Sequence, residues 1–269
     1  MEQASKSAQE SKVNIYLVGG AVREIVRGNA AKVNDWDFAV EAPSFSRMRD
    51  WLTNMGFEIF VETPQYFTIR ARSPKDGFTF AGRDMAGRTF DFTLCRTEGE
   101  YLDGRHPESV EVGTIKTDLS RRDFTMNAMA MDSEGNVIDP FGGEHDATRG
   151  IVRCVGSVDR LKEDALRMLR AVRFAVQLGG GLEKEIHEFL QDEYNVNMLD
   201  KISEERIREE MTKAFKIDTL DTLWFLNTYP ILRDKIFEGD MWLVPTVKGT
   251  GNEKKKGSPV MCTAFGYRG

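Results

Sequence analysis

The sequence contains few cysteines, and none is placed for pairing. Three are present in 269 residues, at Cys95, Cys154 and Cys262. An odd number at such wide spacing excludes a compact disulfide framework and a zinc site of the CxxC type. This cysteine usage is typical of a reducing compartment, and we expect a cytoplasmic protein.

The sequence also has no apolar run long enough to cross a membrane. Its first dozen residues, MEQASKSAQESK, are polar and lack the apolar centre of a signal peptide. We therefore expect a disordered N-terminus over residues 1–12 and no membrane association.

An excess of basic residues is absent as well. The 37 Lys and Arg residues are outnumbered by 43 Asp and Glu, which gives a net charge of −6. Dedicated nucleic-acid binders usually carry a basic excess, so composition argues mildly against a nucleic-acid partner. A site made of carboxylates is acidic by nature, however, and local arginine clusters can contact phosphates whatever the total charge. Both possibilities stay open at this level.

Strand and helix signals divide the chain into an N-terminal mixed region and a C-terminal helical region. Strands and helices of both kinds occur up to about residue 150, and their order predicts an α+β fold with a mixed sheet. Beyond it the pattern is helical until a Gly- and Lys-rich end. We expect a head domain at 13–150, an all-α neck at 151–238 and a flexible tail at 239–269. The strands are predicted at 13–18, 37–40, 58–61, 67–72, 79–81 and 89–95, with helices at 21–28 and 44–55.

A glycine pair closes the first predicted strand and opens the first predicted helix. At such a junction, bare backbone N–H groups and the helix dipole can hold a phosphate. Gly19 and Gly20 are therefore candidate phosphate-binding residues. Most such pairs are only turns, so this motif needs support from elsewhere in the chain.

Three acidic residues supply that support. Asp35 and Asp37 have the spacing of two that places side chains on one face of a strand. Asp91 lies on another predicted strand, with Phe90 and Phe92 facing the opposite way. Carboxylates held side by side are costly unless a cation lies between them, and Mg²⁺ is the usual ion beside substrate phosphates. The three acids therefore predict a two-metal site for phosphoryl transfer, although solvated surface acids are the simpler alternative.

Several motifs in order resemble one family, the class II tRNA nucleotidyltransferases (CCA-adding enzymes) and the bacterial poly(A) polymerases with the same head domain. The resemblance covers about residues 13–215. It rests on LVGGAVRE, DWDFAV, FDFTLCRTEGEY, DLSRRDFTMNAMA, IDPFGG, EDALRMLRAVRF and ISEERIREEM. It implies a polymerase-beta-like nucleotidyltransferase head followed by the helical neck.

Within the head, the resemblance implies specific roles. Gly20 and Arg23 would contact the triphosphate of the incoming nucleotide, and Asp35 and Asp37 would bind the magnesium ions. Glu24 stands where the family usually has Asp, and we expect little consequence from this departure.

The same resemblance assigns ribose recognition to Arg122 and Asp123. In the neck it assigns base reading to Asp164 and Arg167. Two further arginines of that motif, Arg170 and Arg173, match nucleotide-site residues.

The chemistry of the neck motif can also be argued from the residues. Four charged side chains recur every three positions, which predicts one polar row on an apolar helix: Asp164, Arg167, Arg170 and Arg173. A carboxylate accepts and a guanidinium donates, so an Asp/Arg pair matches the amine and ring nitrogen of cytosine and adenine and rejects uracil and guanine. The alternative is the solvated face of an amphipathic helix.

The sequence therefore predicts an enzyme that adds C, A or both from CTP and ATP to the 3′ end of an RNA without a template. We expect this RNA to be a tRNA. A poly(A) polymerase-like enzyme and one that adds only part of CCA are variants of this hypothesis. Two rivals remain: a nucleotidyltransferase acting on a protein or small molecule, and a non-catalytic nucleotide- or RNA-binding relative. Family members continue beyond the neck, so we also expect a protein partner or a second copy to help grip the RNA.

Overall fold

The computed structural model describes residues 12–33, 35–98 and 110–237. Most of the expected disordered N-terminus and all of the expected tail lie outside these residues. The chain divides into two compact units between Thr148 and Arg149, called here the first and second units. Within the described residues, no helix is both long and apolar enough to span a bilayer.

The strands fall into one large sheet and three small two-stranded pairs. In chain order they are β1 (Asn14–Val18), β2 (Asp37–Glu41), β3 (Glu58–Thr63), β4 (Thr68–Arg72), β5 (Thr79–Phe80), β6 (Arg83–Asp84), β7 (Thr89–Leu94), β8 (Arg96–Glu98), β9 (Val110–Val112), β10 (Ala130–Met131), β11 (Val137–Ile138), β12 (Ile151–Val152) and β13 (Gly181–Leu182).

Short helices make up most of the remaining regular structure. They are α1 (Gly20–Val26), α2 (Phe45–Asn54), α3 (Ile115–Ser120), α4 (Gly143–Arg149), α5 (Arg160–Glu163), α6 (Leu166–Leu178), α7 (Lys184–Phe189), α8 (Glu193–Val196), α9 (Glu204–Ile217), α10 (Thr219–Thr228) and α11 (Pro230–Phe237).

The large sheet has seven strands in the order β11-β10-β1-β2-β7-β4-β3. Only β2 and β7 run parallel; the other neighbours in this sheet are antiparallel. The mixed sheet is therefore confirmed, and the predicted strands agree with the observed ones to within two residues at either end. The short strands β6 and β8 to β11 were not predicted, because two or three residues carry too little periodicity to be recognised.

Aromatic side chains fill the core on one face of this sheet. The alternation of a strand sends Phe38 of β2 and Phe90 and Phe92 of β7 to the same buried side. The Phe38 ring lies 5.3 Å from the centroids of both Phe90 and Phe92, and 5.0 Å from that of Phe80. This packing leaves the opposite face of β2 and β7 for polar side chains.

Up to residue 237, where the described part of the second unit ends, this unit is helical apart from one short parallel strand pair. Its helix α6, most of whose residues are buried, ends at Gly179 in the left-handed conformation (φ 63°) and packs against α9. The pair β12–β13 departs from the all-α neck that the sequence predicted. The pair forms where the backbones of Gly150 and Gly180 approach each other closely. A Cβ added to Gly180 would lie only 1.8 Å from the carbonyl oxygen of Gly150.

Candidate active site

Four neighbouring strands bring the predicted glycine turn and two of the predicted acids into one row across the sheet. Val18, the last residue of β1, lies opposite Asp37 of β2. Asp37 is in turn the register partner of Asp91 on β7, and Asp91 is the partner of Arg70 on β4. The row therefore runs from the Gly19 turn, which follows Val18, through two acids to an arginine.

The first acid of the predicted pair lies just outside the strand. β2 begins at Asp37, so the expectation that strand alternation aligns Asp35 with Asp37 is wrong. Asp35 occupies the irregular segment before β2, yet it still reaches the same cleft of ≈ 480 Å³. The cleft is lined by Asp35, Trp36, Asp37, Arg70, Thr89, Phe90 and Asp91.

The surroundings of Asp37 in this cleft disfavour its charge. Although Asp37 keeps access to solvent, the surrounding protein raises the pKa of its carboxyl, and the charges of Asp91 and Asp35 raise it further. The guanidinium groups of Arg122 and Arg70 oppose these effects only in part. A positive charge bound between the acids would therefore be favoured.

Arg70 is a site residue that the sequence did not reveal. Its Nε donates to Oδ1 of Asp91 and its Nη2 to Oδ2, both at 2.7 Å. This two-point pairing uses one edge of the guanidinium and leaves the side chain 57% exposed. A single arginine in a strand gives no sequence signal of this kind, because its partner is set by the sheet order.

A second arginine, Arg122, lies next to the glycine turn. Gly19 adopts a positive φ of 67° and precedes α1, whose Arg23 N–H donates to the Gly19 carbonyl at 3.1 Å. A Cβ at Gly19 would lie 3.4 Å from Nη1 of Arg122. The backbone conformation favours glycine, and an added Cβ would be in contact with the end of the Arg122 side chain.

Arg122 is held in this position by a buried acid. Asp118 on α3 accepts from Arg122 Nη2 at 2.9 Å through one oxygen and from Arg121 Nε at 2.9 Å through the other. Burial alone would raise the pKa of Asp118, but the charges and hydrogen bonds of Arg122 and Arg121 outweigh it and keep the pKa below its usual value. Asp118 therefore orients both arginines.

A buried asparagine connects the remaining predicted head residues. Asn127 accepts from Nη1 of Arg23 at 2.6 Å through its side-chain oxygen, and its amide donates to Asp123 at 3.3 Å. Its backbone carbonyl accepts from Arg122 Nη1 at 3.3 Å. Arg23 and the adjacent residues Arg122 and Asp123, which lie about a hundred positions further along the chain, thus share one neighbour.

The donor set of the cleft suits a metal ion only in combination with a substrate. Within residues 12–33, 35–98 and 110–237, no three His, Cys, Asp or Glu side chains form a group that could hold a metal ion. Mg²⁺ is commonly bound by one or two carboxylates together with water and substrate phosphates. Asp35 and Asp37 match that smaller set.

In the second unit, the two predicted base-reading residues are close in the chain, but only Arg167 lies on a helix. Asp164 has extended backbone between α5 and α6, so its expected place in a helical row is wrong. Its Oδ2 accepts from Arg206 of α9 at 2.8 Å. Arg167, in the first turn of α6, donates to Glu163 at 2.6 Å. Arg206 and Glu163 are partners that the sequence did not identify.

The other two arginines of this motif lie further along α6. Arg173 pairs with the buried Glu210 of α9, and its guanidinium lies 3.9 Å from the centroid of the Phe174 ring. Arg170 lies 5.3 Å from the same centroid. Arg173 therefore also ties α6 to α9.

Comparison with known proteins assigns the chain to a family. The family described as "Poly A polymerase head domain" matches residues 15–153, and the chain belongs to it. A CCA-adding enzyme of Geobacillus kaustophilus is 40% identical over 200 residues, which are 74% of this chain and 44% of that protein.

Solved structures show the same relationship. The Bacillus stearothermophilus CCA-adding enzyme in complex with CTP superposes with a TM-score of 0.64 at 31% identity, over 86% of this chain and 50% of that one. A tRNA nucleotidyltransferase complexed with a primer tRNA and an ATP analog gives a TM-score of 0.67 at 28% identity, over 89% and 63%. The chain thus spans about half the length of the relatives it matches.

Proposed function

We propose that this protein is a nucleotidyltransferase that adds C, A or both from CTP and ATP to the 3′ end of tRNA without a template. The observation that carries the proposal is the row from the Gly19 turn through Asp37 to Asp91: the candidate phosphate-binding turn follows the strand residue opposite Asp37, and Asp37 and Asp91 line one cleft together with Asp35. Relatives that bind CTP, an ATP analog and tRNA support the choice of substrates.

In this proposal Asp35 and Asp37 hold Mg²⁺, and Asp91 is the third acid of the site. The raised pKa of Asp37 and the carboxylate donor set both fit a divalent cation. When bound, magnesium ions lower the pKa of the attacking hydroxyl and neutralise charge on the leaving pyrophosphate.

The chain's own residues bind and orient the nucleotide. Backbone N–H groups after Gly19 and Gly20, together with Arg23 and Arg122, would hold the triphosphate. Asp123, beside Arg122, would accept from the ribose 2′-hydroxyl and so select ribonucleotides.

Base choice would come from the second unit. Each oxygen of a carboxylate accepts more than one hydrogen bond, so Asp164 can accept from a base amine while it holds Arg206. Arg167 would donate to the ring nitrogen of cytosine or adenine, and Arg170 and Arg173 would complete the nucleotide site. Protein side chains thereby replace a template.

Product sizing tests the proposal. The chain is incubated with labelled CTP or ATP, Mg²⁺, and tRNAs that lack CCA, lack only the terminal A, or are complete. Growth that stops at CCA supports CCA addition, growth by C or A alone indicates a partial activity, and long A tracts indicate a poly(A) polymerase. Absence of RNA extension with every substrate refutes the proposal, and transfer to protein or a small molecule instead would favour the rival substrate class.

The cysteines fit a cytoplasmic location, which we also propose. Cys95 and Cys154 are buried thiols outside any disulfide. Cys262 lies beyond the described residues.

A further inference from the structure

Arg70 stands at the end of the site opposite the glycine turn. The row crosses four adjacent strands in the order β1, β2, β7 and β4, carrying the Gly19 turn, Asp37, Asp91 and Arg70. Neighbouring strands are about 4.8 Å apart, so Arg70 and the turn are separated by about 14 Å across the sheet. The two acids lie between them.

Nucleotidyl transfer by in-line displacement gives these two ends different roles. The attacking oxygen and the leaving oxygen lie on opposite sides of the reacting phosphorus. In the function proposed above, the leaving pyrophosphate belongs to the triphosphate held near Gly19 and Arg122. The acceptor RNA must then approach from the side of β7 and β4, where Arg70 lies.

The guanidinium of Arg70 is available to bind an anion that approaches from the side of β7 and β4. Asp91 engages its Nε and Nη2, whereas Nη1 has no partner among the described residues. The arginine keeps 57% of its side chain exposed at the rim of the cleft. Its charge also offsets part of the repulsion that an acidic cleft exerts on a phosphate.

We propose that Arg70 binds the last phosphodiester of the acceptor RNA and that Asp91 positions the Arg70 guanidinium for this contact. This inference rests on the proposed function. In the pairing described here both Asp91 oxygens accept from Arg70, and Asp35 and Asp37 are the metal-binding acids of the function proposed above. Arg70 thereby selects an acceptor that carries a phosphate next to its terminal nucleoside.

Steady-state kinetics with two acceptor RNAs tests the contact. One RNA is natural, and the other carries an uncharged methylphosphonate at its last linkage. Arg70→Gln should raise KM for the natural RNA by about tenfold, because the variant loses one hydrogen bond to a charged group. KM for CTP should stay unchanged, and the variant and wild type should differ little on the methylphosphonate RNA.

Arg72→Gln is the matched control. Arg72 lies two residues along the same strand, pairs with Glu58 at 3.6 Å and contacts the Phe60 ring instead of lining the cleft. The substitution Arg72→Gln removes the same charge as Arg70→Gln, and it should leave the KM for both RNAs near the wild-type value. Arg70→Lys keeps the charge but cannot pair at two points, so its KM for the natural RNA should lie between those of wild type and Arg70→Gln.

Three results would overturn the assignment: an unchanged KM for natural RNA, an equal rise for both RNAs, or a rise in KM for CTP instead. Fluorescence anisotropy with the same two RNAs, without nucleotide, repeats the comparison without turnover. A wild-type chain that transfers nothing would refute the proposed function, while binding would still decide the role of Arg70.

Discussion

Asp37 and Asp91 are direct register partners on the parallel strands β2 and β7. Their carboxylates therefore share one face of the sheet, and the charge of Asp91 contributes to the raised pKa of Asp37. Ionisation of Asp37 is thus less favourable in the folded chain than in the unfolded chain. This cost can be measured in the absence of metal.

We expect Asp37→Asn to stabilise the metal-free protein at neutral pH. Because the folded pKa is raised above the ordinary value of 3.8, the destabilisation is absent below that value and grows as the pH rises through the folded pKa. Thermal unfolding in EDTA at pH 7 should give a higher Tm for the variant, with the difference shrinking toward pH 3. A lower Tm at pH 7 would contradict the repulsion described here.

We expect Asp35 and Asp37 to be required for transfer. Asp35→Ala and Asp37→Ala should each reduce kcat roughly a thousandfold or more, since each removes metal-derived stabilisation of several kcal/mol. Circular dichroism should show an intact fold, because neither side chain belongs to the aromatic core. Substantial Mg²⁺-dependent activity in either variant would refute the metal assignment.

Gly19→Ala should impair both stability and nucleotide binding. An alanine is strained at the φ of 67° and ψ of −132° of Gly19, at a cost of about 1–3 kcal/mol, and its Cβ would contact the end of the Arg122 side chain. Gly28→Ala is the control, since Gly28 also has a positive φ (77°) but nothing lies within 4 Å of the added Cβ. Urea denaturation should show similar losses for both variants, whereas KM for CTP should rise only for Gly19→Ala.

Asp118→Asn should destabilise the first unit strongly. The substitution leaves two arginines without their buried counter-charge, at a cost of about 3–5 kcal/mol. The pKa of Asp118 is lowered, so its contribution is present above the ordinary value of 3.8 and is lost as the pH falls through the folded pKa. Urea denaturation should therefore show a smaller difference in the free energy of unfolding between wild type and Asp118→Asn at pH 3 than at pH 7.

Glu62→Gln supplies the comparison for Asp118. Glu62 forms an exposed pair with Arg49, and such pairs contribute about 0–1 kcal/mol. Equal losses for the two variants would mean that Asp118 does not hold its arginines as described.

Arg167→Ala should reduce base selectivity while triphosphate binding persists. Losing one charge-assisted hydrogen bond should cost about 1.5–3 kcal/mol for CTP and ATP, and less for UTP and GTP, which do not match it. Incorporation of all four nucleotides on one RNA measures the effect, with Asp164→Ala as the paired variant. An equal proportional loss for all four would assign Arg167 a structural or phosphate-binding role.

The sequence was sufficient to predict the strands that carry Asp37 and Asp91 and the helix that carries Arg23. Period-two alternation in FDFTL places Phe90 and Phe92 opposite Asp91, and the structure confirms this arrangement. The glycine pair after β1 was likewise predictable, because a strand ending at two glycines before a helix has a local signature.

The partners of the charged residues were not predictable. Arg70, Asp118 and Asn127 act through neighbours that the sheet order and the turn after α3 bring together, and no local pattern encodes those distances. Asp164 was misplaced because its spacing of three from Arg167 fits a helix, whereas the helix begins only at Leu166. The strand pair β12–β13 depends on the close approach of Gly150 and Gly180, which a helical periodicity cannot reveal.

The phenylalanine core beneath β2 and β7 has a consequence for ion affinity. A slip of either strand by one residue would expose Phe38, Phe90 or Phe92 to water, so the separation between the Asp37 and Asp91 backbones is fixed before any ion arrives. A cation entering the cleft then has to order little of the main chain, and the entropy that a flexible loop would lose on binding is already lost during folding.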